Sequence, residues 1–105
     1  MVLNLRRTEA DFEGDLDVYI GRAGKGLPGY FGNPIVPGRQ CLVCRRVHPT
    51  KQATLACFEQ YATKRVETDP IYASRVAALS GKRLFCFCAP SPCHGDILEK
   101  LAGRV

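Results

Sequence analysis

With 105 residues, 46% of them hydrophobic and 24% charged, the chain has the composition of a soluble globular protein and the length of one domain, 1–105, with no room for a second. No apolar run approaches the ~20 residues of a membrane-spanning helix, which argues against a membrane role. The net charge of +5 suits a phosphate-bearing partner, although the cations are scattered along the chain rather than gathered in a block. Met1 to Arg7 lacks the apolar stretch of a secretory signal, so the expected compartment is the cytoplasm, that of the host cell if the chain is viral. Without a signal sequence, six cysteines at Cys-x-x-Cys and Cys-x-Cys spacings point to thiol or metal chemistry rather than a disulfide framework.

Val2 to Leu5 reads as a first short strand. Leu16 to Ile20 reads as a second, rich in β-formers and stopped by Gly21. Their link is short for a helical crossover, so an antiparallel pair and an irregular loop are both open. From Gly21 to Gly38 six glycines and three prolines prevent regular structure and let backbone amides line a concavity. Gly21-Arg22-Ala23-Gly24-Lys25-Gly26 matches neither the P-loop nor the dinucleotide fingerprint, yet it follows a strand and carries two cations. Arg22 and Lys25 are therefore candidate phosphate ligands. Asn33, in the Gly32-Asn33-Pro34 turn, either offers its amide to a ligand or caps that turn.

Cys41-Leu42-Val43-Cys44-Arg45-Arg46-Val47-His48 has the Cys-x2-Cys-x3-His spacing that places three ligands around tetrahedral zinc. Cys57, near the first turn of the following helix, is the candidate fourth. Cys86, Cys88 or Cys93 completing the site across the fold is the alternative. Leu55, Phe58 and Ala62 form the inward stripe of a helix starting near Thr54. Asp69 as N-cap, Pro70 in the first turn, inward Tyr72, Val76 and Leu79, and Gly81 as the stop define another.

Arg83 to Cys88 reads as a buried strand with Leu84, Cys86 and Cys88 on one face. Cys86 and Cys88 serve equally well as small core hydrophobes. A last helix is expected from Ser91 as N-cap, with Pro92 at the first helical position, to Gly103. That placement sets Cys93 and His94 in the first turn as an exposed pair, where the helix dipole favours a thiolate. Asp96 either orients His94 or caps the helix, and Gly95 suggests a ligand held close to the backbone. Strand, two helices, strand and helix imply an α/β fold. Its small, mostly parallel sheet would carry flanking helices and a zinc-stabilised loop insertion.

Asp17-Val18-Tyr19-Ile20-Gly21-Arg22, Gly32-Asn33-Pro34, Gly81-Lys82-Arg83-Leu84 and Cys86-Phe87-Cys88-Ala89-Pro90 followed by Cys93-His94-Gly95-Asp96 give the chain its resemblance to a known family. It resembles phage and bacterial proteins catalogued as domain of unknown function 4326, over nearly its whole length. The resemblance implies a compact α/β fold and transfers no activity. The Cys41–Cys44 knuckle is not a general feature of that family, so zinc there rests on this chain's own residues.

These residues predict a zinc-binding α/β domain whose partner is a phosphate-bearing small molecule or nucleic acid, meeting Arg22 and Lys25. If it is an enzyme, Cys93 is the nucleophile or His94 the general base, with Asp96 beside them. The alternative is a non-enzymatic zinc-stabilised adaptor for protein or nucleic acid. A thiol redox role is disfavoured, because the sole Cys-x-x-Cys lacks a strand before it and a helix after it.

Overall fold

The computed structural model describes residues 1–24, 26–87 and 91–104. Three short strands, β1 (Val2–Asn4), β2 (Asp17–Tyr19) and β3 (Arg83–Cys86), form one sheet in the order β1-β3-β2. Both outer strands run parallel to β3, with Val2 and Val18 each opposite Leu84. β1 and β2 are therefore not neighbours at all, and the irregular connection between them carries the chain past β3.

Strand alternation assigns the two faces. Val18, Ile20, Leu84 and Cys86 belong to the main core with the helices, whereas Tyr19 and Phe85 turn to the other side. There Phe12, from the connection between β1 and β2, meets Tyr19 and Phe85 edge-on at centroid distances of 6.1 and 5.7 Å. The loop thus covers an aromatic face that would otherwise be wet.

One turn of 3-10 helix (Gln52–Thr54) leads into α1 (Leu55–Thr68), which is followed by α2 (Pro70–Ala77) and, after β3, by α3 (His94–Ala102). The three helices pack on one another, and α3 also contacts β1 and β3. The Asp69 carboxylate accepts from the amides of Ile71 and Tyr72, both at 3.1 Å, as its position before Pro70 requires. Tyr72, Val76 and Leu79 are buried as expected. The helix ends at Ala77, and the chain turns through Gly81 at φ 76, a left-handed conformation that glycine adopts without steric cost.

Ser91 is not the N-cap of α3. Cys93 is, with extended backbone and a sulphur that accepts from the Gly95 amide at 3.4 Å. Asp96 closes a capping box by accepting from the Cys93 amide at 3.1 Å. The helix therefore starts two residues later than the Ser-Pro pair suggests, which moves Cys93 and His94 to the very edge of the helix. Gly95 has a packing role there: a Cβ would lie 2.5 Å from Ile20 Cδ1 and 3.1 Å from Val2 Cγ1. What approaches its backbone is the sheet, not a ligand.

A charged clamp closes the amino end of the sheet. Asp17 and Arg83 are register partners on β2 and β3, and Arg83 donates to both carboxylate oxygens at 2.6 and 2.7 Å. The Asp11 amide adds a third donor at 2.8 Å. The Arg83 hydrogen bonds, reinforced by that amide, lower the Asp17 pKa from 3.8 to about 2 despite burial acting the other way. A depressed folded-state pKa contributes stability that is present above pH 3.8 and lost as pH falls toward 2. Acid unfolding followed by circular dichroism should therefore steepen in that window, and Asp17→Asn should flatten it while lowering stability at neutral pH. An unchanged acid limb in the variant would contradict this role.

Candidate metal centre and ligand cavity

The first site grows from a tight turn. The Cys41 amide donates to the Arg46 carbonyl at 2.7 Å, the Arg45 amide donates to the Cys41 carbonyl at 3.0 Å, and Gln40 bridges Val47. Arg45 closes this hairpin at φ 68, left-handed backbone that a non-glycine residue seldom adopts. The Gly38 amide donates to the His48 carbonyl at 2.9 Å and ties the returning strand down. α1 then brings Cys57 back over the knuckle.

The ligand atoms of Cys41, Cys44, His48 and Cys57 all lie within 4.8 Å of one another, and Cys44 Sγ is 3.4 Å from His48 Nε2. A tetrahedral zinc with Zn–S bonds of about 2.3 Å holds its sulphurs roughly 3.8 Å apart, so shifts of about 1 Å complete the geometry. The donor set of three cysteines and one histidine is that of a closed structural site. Cys57 is the fourth member of the group, and neither Cys86 nor Cys93 belongs to it. Burial alone would push the Cys41 thiol up. The amides of Cys44 and Val43, with help from His48, more than offset that and bring it down to about 6. Such N–H···S bonds, the Val43 one at 3.3 Å, also support metal-bound thiolates. Burial, followed by the neighbouring sulphurs, pushes Cys57 up to about 11. Thiols this close need a shared cation to ionise together.

The second site is a cavity of ≈ 440 Å³. Its walls come from the carboxyl ends of the parallel strands: Arg6 just past β1, Tyr19 and Gly21 at the end of β2, Cys86 and Phe87 at the end of β3. The start of α3 adds Cys93 and His94, and the segment between His48 and Cys57 adds Lys51 and Leu55. Open parallel sheets place ligands in this position. Three cations, Arg6, Arg22 and Lys51, line it, and no carboxylate is among its described lining residues.

Several contacts hold these walls. Arg22 Nη2 donates to the Ile35 carbonyl at 3.0 Å, and the Tyr19 hydroxyl donates to the Arg22 carbonyl at 2.8 Å. Asn33 lines the cavity but its amide is engaged within the fold, donating to Thr54 Oγ1 and accepting from the Ile35 amide, both at 2.9 Å. It fixes the Gly-Asn-Pro turn against the start of α1. Arg6 stands over the Phe87 ring at 5.4 Å. Lys25 and Cys88 lie outside the described residues.

Cys93 and His94 are 2% and 8% exposed, so the expectation of an exposed pair is corrected: they form the inner wall of the cavity rather than its surface. Cys93 Sγ lies 3.2 Å from Cys86 Sγ and 3.5 Å from His94 Nδ1. His94 Nε2 is 2.6 Å from the Ile20 carbonyl. A carbonyl only accepts, so Nε2 carries the proton and the neutral ring presents Nδ1 as an acceptor toward Cys93. Burial lowers the His94 pKa, with the Ile20 carbonyl acting against it. Cys93 Sγ thus has both the Cys86 sulphur and the His94 ring nitrogen within hydrogen-bonding reach. Asp96 caps the helix by accepting from the Cys93 amide, and its charge acts on the His94 ring in the direction opposite to burial.

Of the residues that line the cavity, the sequence pointed to Arg22, Asn33, Cys93 and His94 but not to Arg6 and Lys51. Arg6 was visible as a cation just beyond the first strand, and Lys51 as one just beyond the knuckle. Among the described residues no helix is long and apolar enough to cross a membrane.

A 56-residue stretch of the chain is 32% identical to the "Uncharacterized 12.4 kDa protein in nrdA-td intergenic region" of Enterobacteria phage T4. The match covers 53% of this chain and 52% of the relative, so the chain spans about half the length of that curated protein. No solved structure matches the chain. The model of one family, described as "Domain of unknown function (DUF4326)", matches residues 3–104, and with the motifs at Gly21, Asn33 and Cys93 falling inside that span the chain belongs to this family.

Proposed function

We propose that the chain is a zinc-stabilised α/β domain that binds a phosphate-bearing ligand, a nucleotide or a nucleic-acid end, in the cavity at the carboxyl ends of its strands. The observation that carries this reading is the lining of that cavity: Arg6, Arg22 and Lys51 converge on it with no carboxylate among the described lining residues. Apolar and aromatic wall from Tyr19, Leu27, Leu55 and Phe87 accommodates a base or sugar beside the charged groups. The sequence adds Lys25 three residues after Arg22. Zinc is the ion favoured by three thiolates and an imidazole in tetrahedral reach. Cys41, Cys44, His48 and Cys57 would hold it, and its part is to fix the segment that carries Lys51 and Leu55. Cys93 and His94 then face the bound ligand as the thiol and base of any chemistry performed on it.

A thermal-shift panel of nucleosides and their mono-, di- and triphosphates against the zinc-loaded protein tests the reading. A ligand at 100 times its Kd adds about 2.7 kcal/mol, which raises the melting temperature of a domain this size by roughly 10 °C. Phosphorylated members should give the shift and nucleosides should not. A panel without any response would withdraw the phosphate ligand.

A further inference from the structure

Although the cations are spread along the chain, the acids are not. Between Asp17 and Glu59 there is no aspartate or glutamate, while Arg22, Lys25, Arg39, Arg45, Arg46 and Lys51 all fall there. The metal knuckle sits in the middle of this acid-free stretch, and Arg39, Arg45, Arg46 and Lys51 are exposed. Of its three apolar residues outside the ligand group, Val43 packs against the core, while Leu42 and Val47 are turned outward, 56% and 60% exposed. The knuckle therefore presents apolar side chains and guanidinium groups side by side to solvent.

The same pairing recurs at the cavity. Phe87, 41% exposed, stands there with Arg6 over its ring. Lys51 joins the two regions, being three residues after His48 and part of the cavity lining. Cations alternating with exposed apolar surface match a single nucleic-acid strand, which presents phosphates and unstacked base faces together. A duplex hides its base faces in the stack, so the exposed apolar surface favours the single strand.

We infer that the knuckle and the cavity mouth form one track for single-stranded nucleic acid. The terminal, phosphate-bearing nucleotide enters the cavity and the adjoining nucleotides lie over the knuckle. This rests on the phosphate-binding reading of the cavity and narrows it from any nucleotide to the end of a strand.

Fluorescence anisotropy on the zinc-loaded protein, with a terminally phosphorylated DNA strand of roughly eight nucleotides as probe, tests it. Its duplex and the nucleoside monophosphates serve as competitors. The single strand should bind at least about tenfold more tightly than either competitor, since each neutralised phosphate adds counterion release. Replacing Arg39, Arg45 and Arg46 together with glutamine should weaken strand binding about tenfold or more and reduce the slope of log K against log salt by about 2. Monophosphate binding should be unchanged in that variant. Leu42→Ser with Val47→Ser should weaken strand binding while leaving the salt slope alone, and zinc content should confirm that both variants keep the knuckle. Equal affinity for strand and monophosphate, preference for the duplex, or an unaffected triple variant would each overturn the track while leaving the cavity reading standing. If neither strand nor monophosphate binds, both fall.

Discussion

Removal of the ion proposed for Cys41, Cys44, His48 and Cys57 by a strong chelator will lower the melting temperature by about 15 °C or more, and one equivalent of zinc will restore it. The segment from Ile35 to Thr54 has no long helix or strand of its own, and a handful of turn hydrogen bonds hold its backbone. Yet Ile35, Cys41 and Cys57 are part of the main core. Without the ion, three neighbouring sulphurs lose the charge that holds them together and the core loses one wall. Cys41→Ser and Cys57→Ser should each reproduce the loss in thermal denaturation. Cys93→Ser should not, because serine is itself a good N-cap and Cys93 lies outside the ligand group. A chelated protein with unchanged melting and no bound metal on purification would remove zinc from the account.

The second large effect is steric. A Cβ at Gly29 would lie 2.5 Å from the Ala23 amide nitrogen and 2.8 Å from its Cβ, so no side-chain rotation relieves the clash. Gly32 is confined too, with the Gly21 carbonyl oxygen 2.9 Å from its would-be Cβ. These two glycines let the segment before Asn33 lie directly on the segment that carries Arg22. Gly29→Ala should destabilise the domain by about 1–3 kcal/mol, the usual overpacking cost, and so lower its melting temperature by roughly 4–13 °C. Because the displaced residue is Ala23, in the cavity wall and next to Arg22, affinity for phosphorylated nucleotides should fall with it. A variant that melts with the parent protein would show that the loop has other ways to pack.

Much of the architecture was legible because local signals agreed with the tertiary outcome. Asp69-Pro70 caps α2 as capping chemistry dictates, the run read as a strand from Arg83 to Cys88 supplies the central strand over Arg83–Cys86, and the knuckle spacing named three members of the candidate metal group. Cys57 was the harder member. It lies nine positions beyond His48, and only the reversal of the chain through the 3-10 turn brings its sulphur back to the others.

The start of α3 was misread for a physical reason. Ser91-Pro92 carries the standard signature of a helix start, whereas cysteine is seldom weighed as an N-cap. Here the sulphur accepts an amide and Asp96 completes the box. The shift of two positions buries Cys93 and His94 in the cavity wall instead of exposing them. The Asp17–Arg83 clamp and the cavity lining depend on strand register and loop docking, which no spacing along the chain encodes. The acid-free stretch was present in the sequence all along. It escapes a search for clustered cations because the informative feature is a missing charge.

Two sites sharing one segment is the central claim: an ion behind it, a phosphate-bearing ligand in front. Amide chemical-shift mapping during titration of the zinc-loaded protein with nucleoside monophosphates tests it most directly. The account predicts shifts at Gly21 to Gly24, Lys51, Phe87 and His94, where the cavity walls meet, with Glu59, Gln60 and Thr63 on the outer face of α1 left quiet. Saturable shifts confined to residues away from that cavity, or none at any concentration, would contradict it.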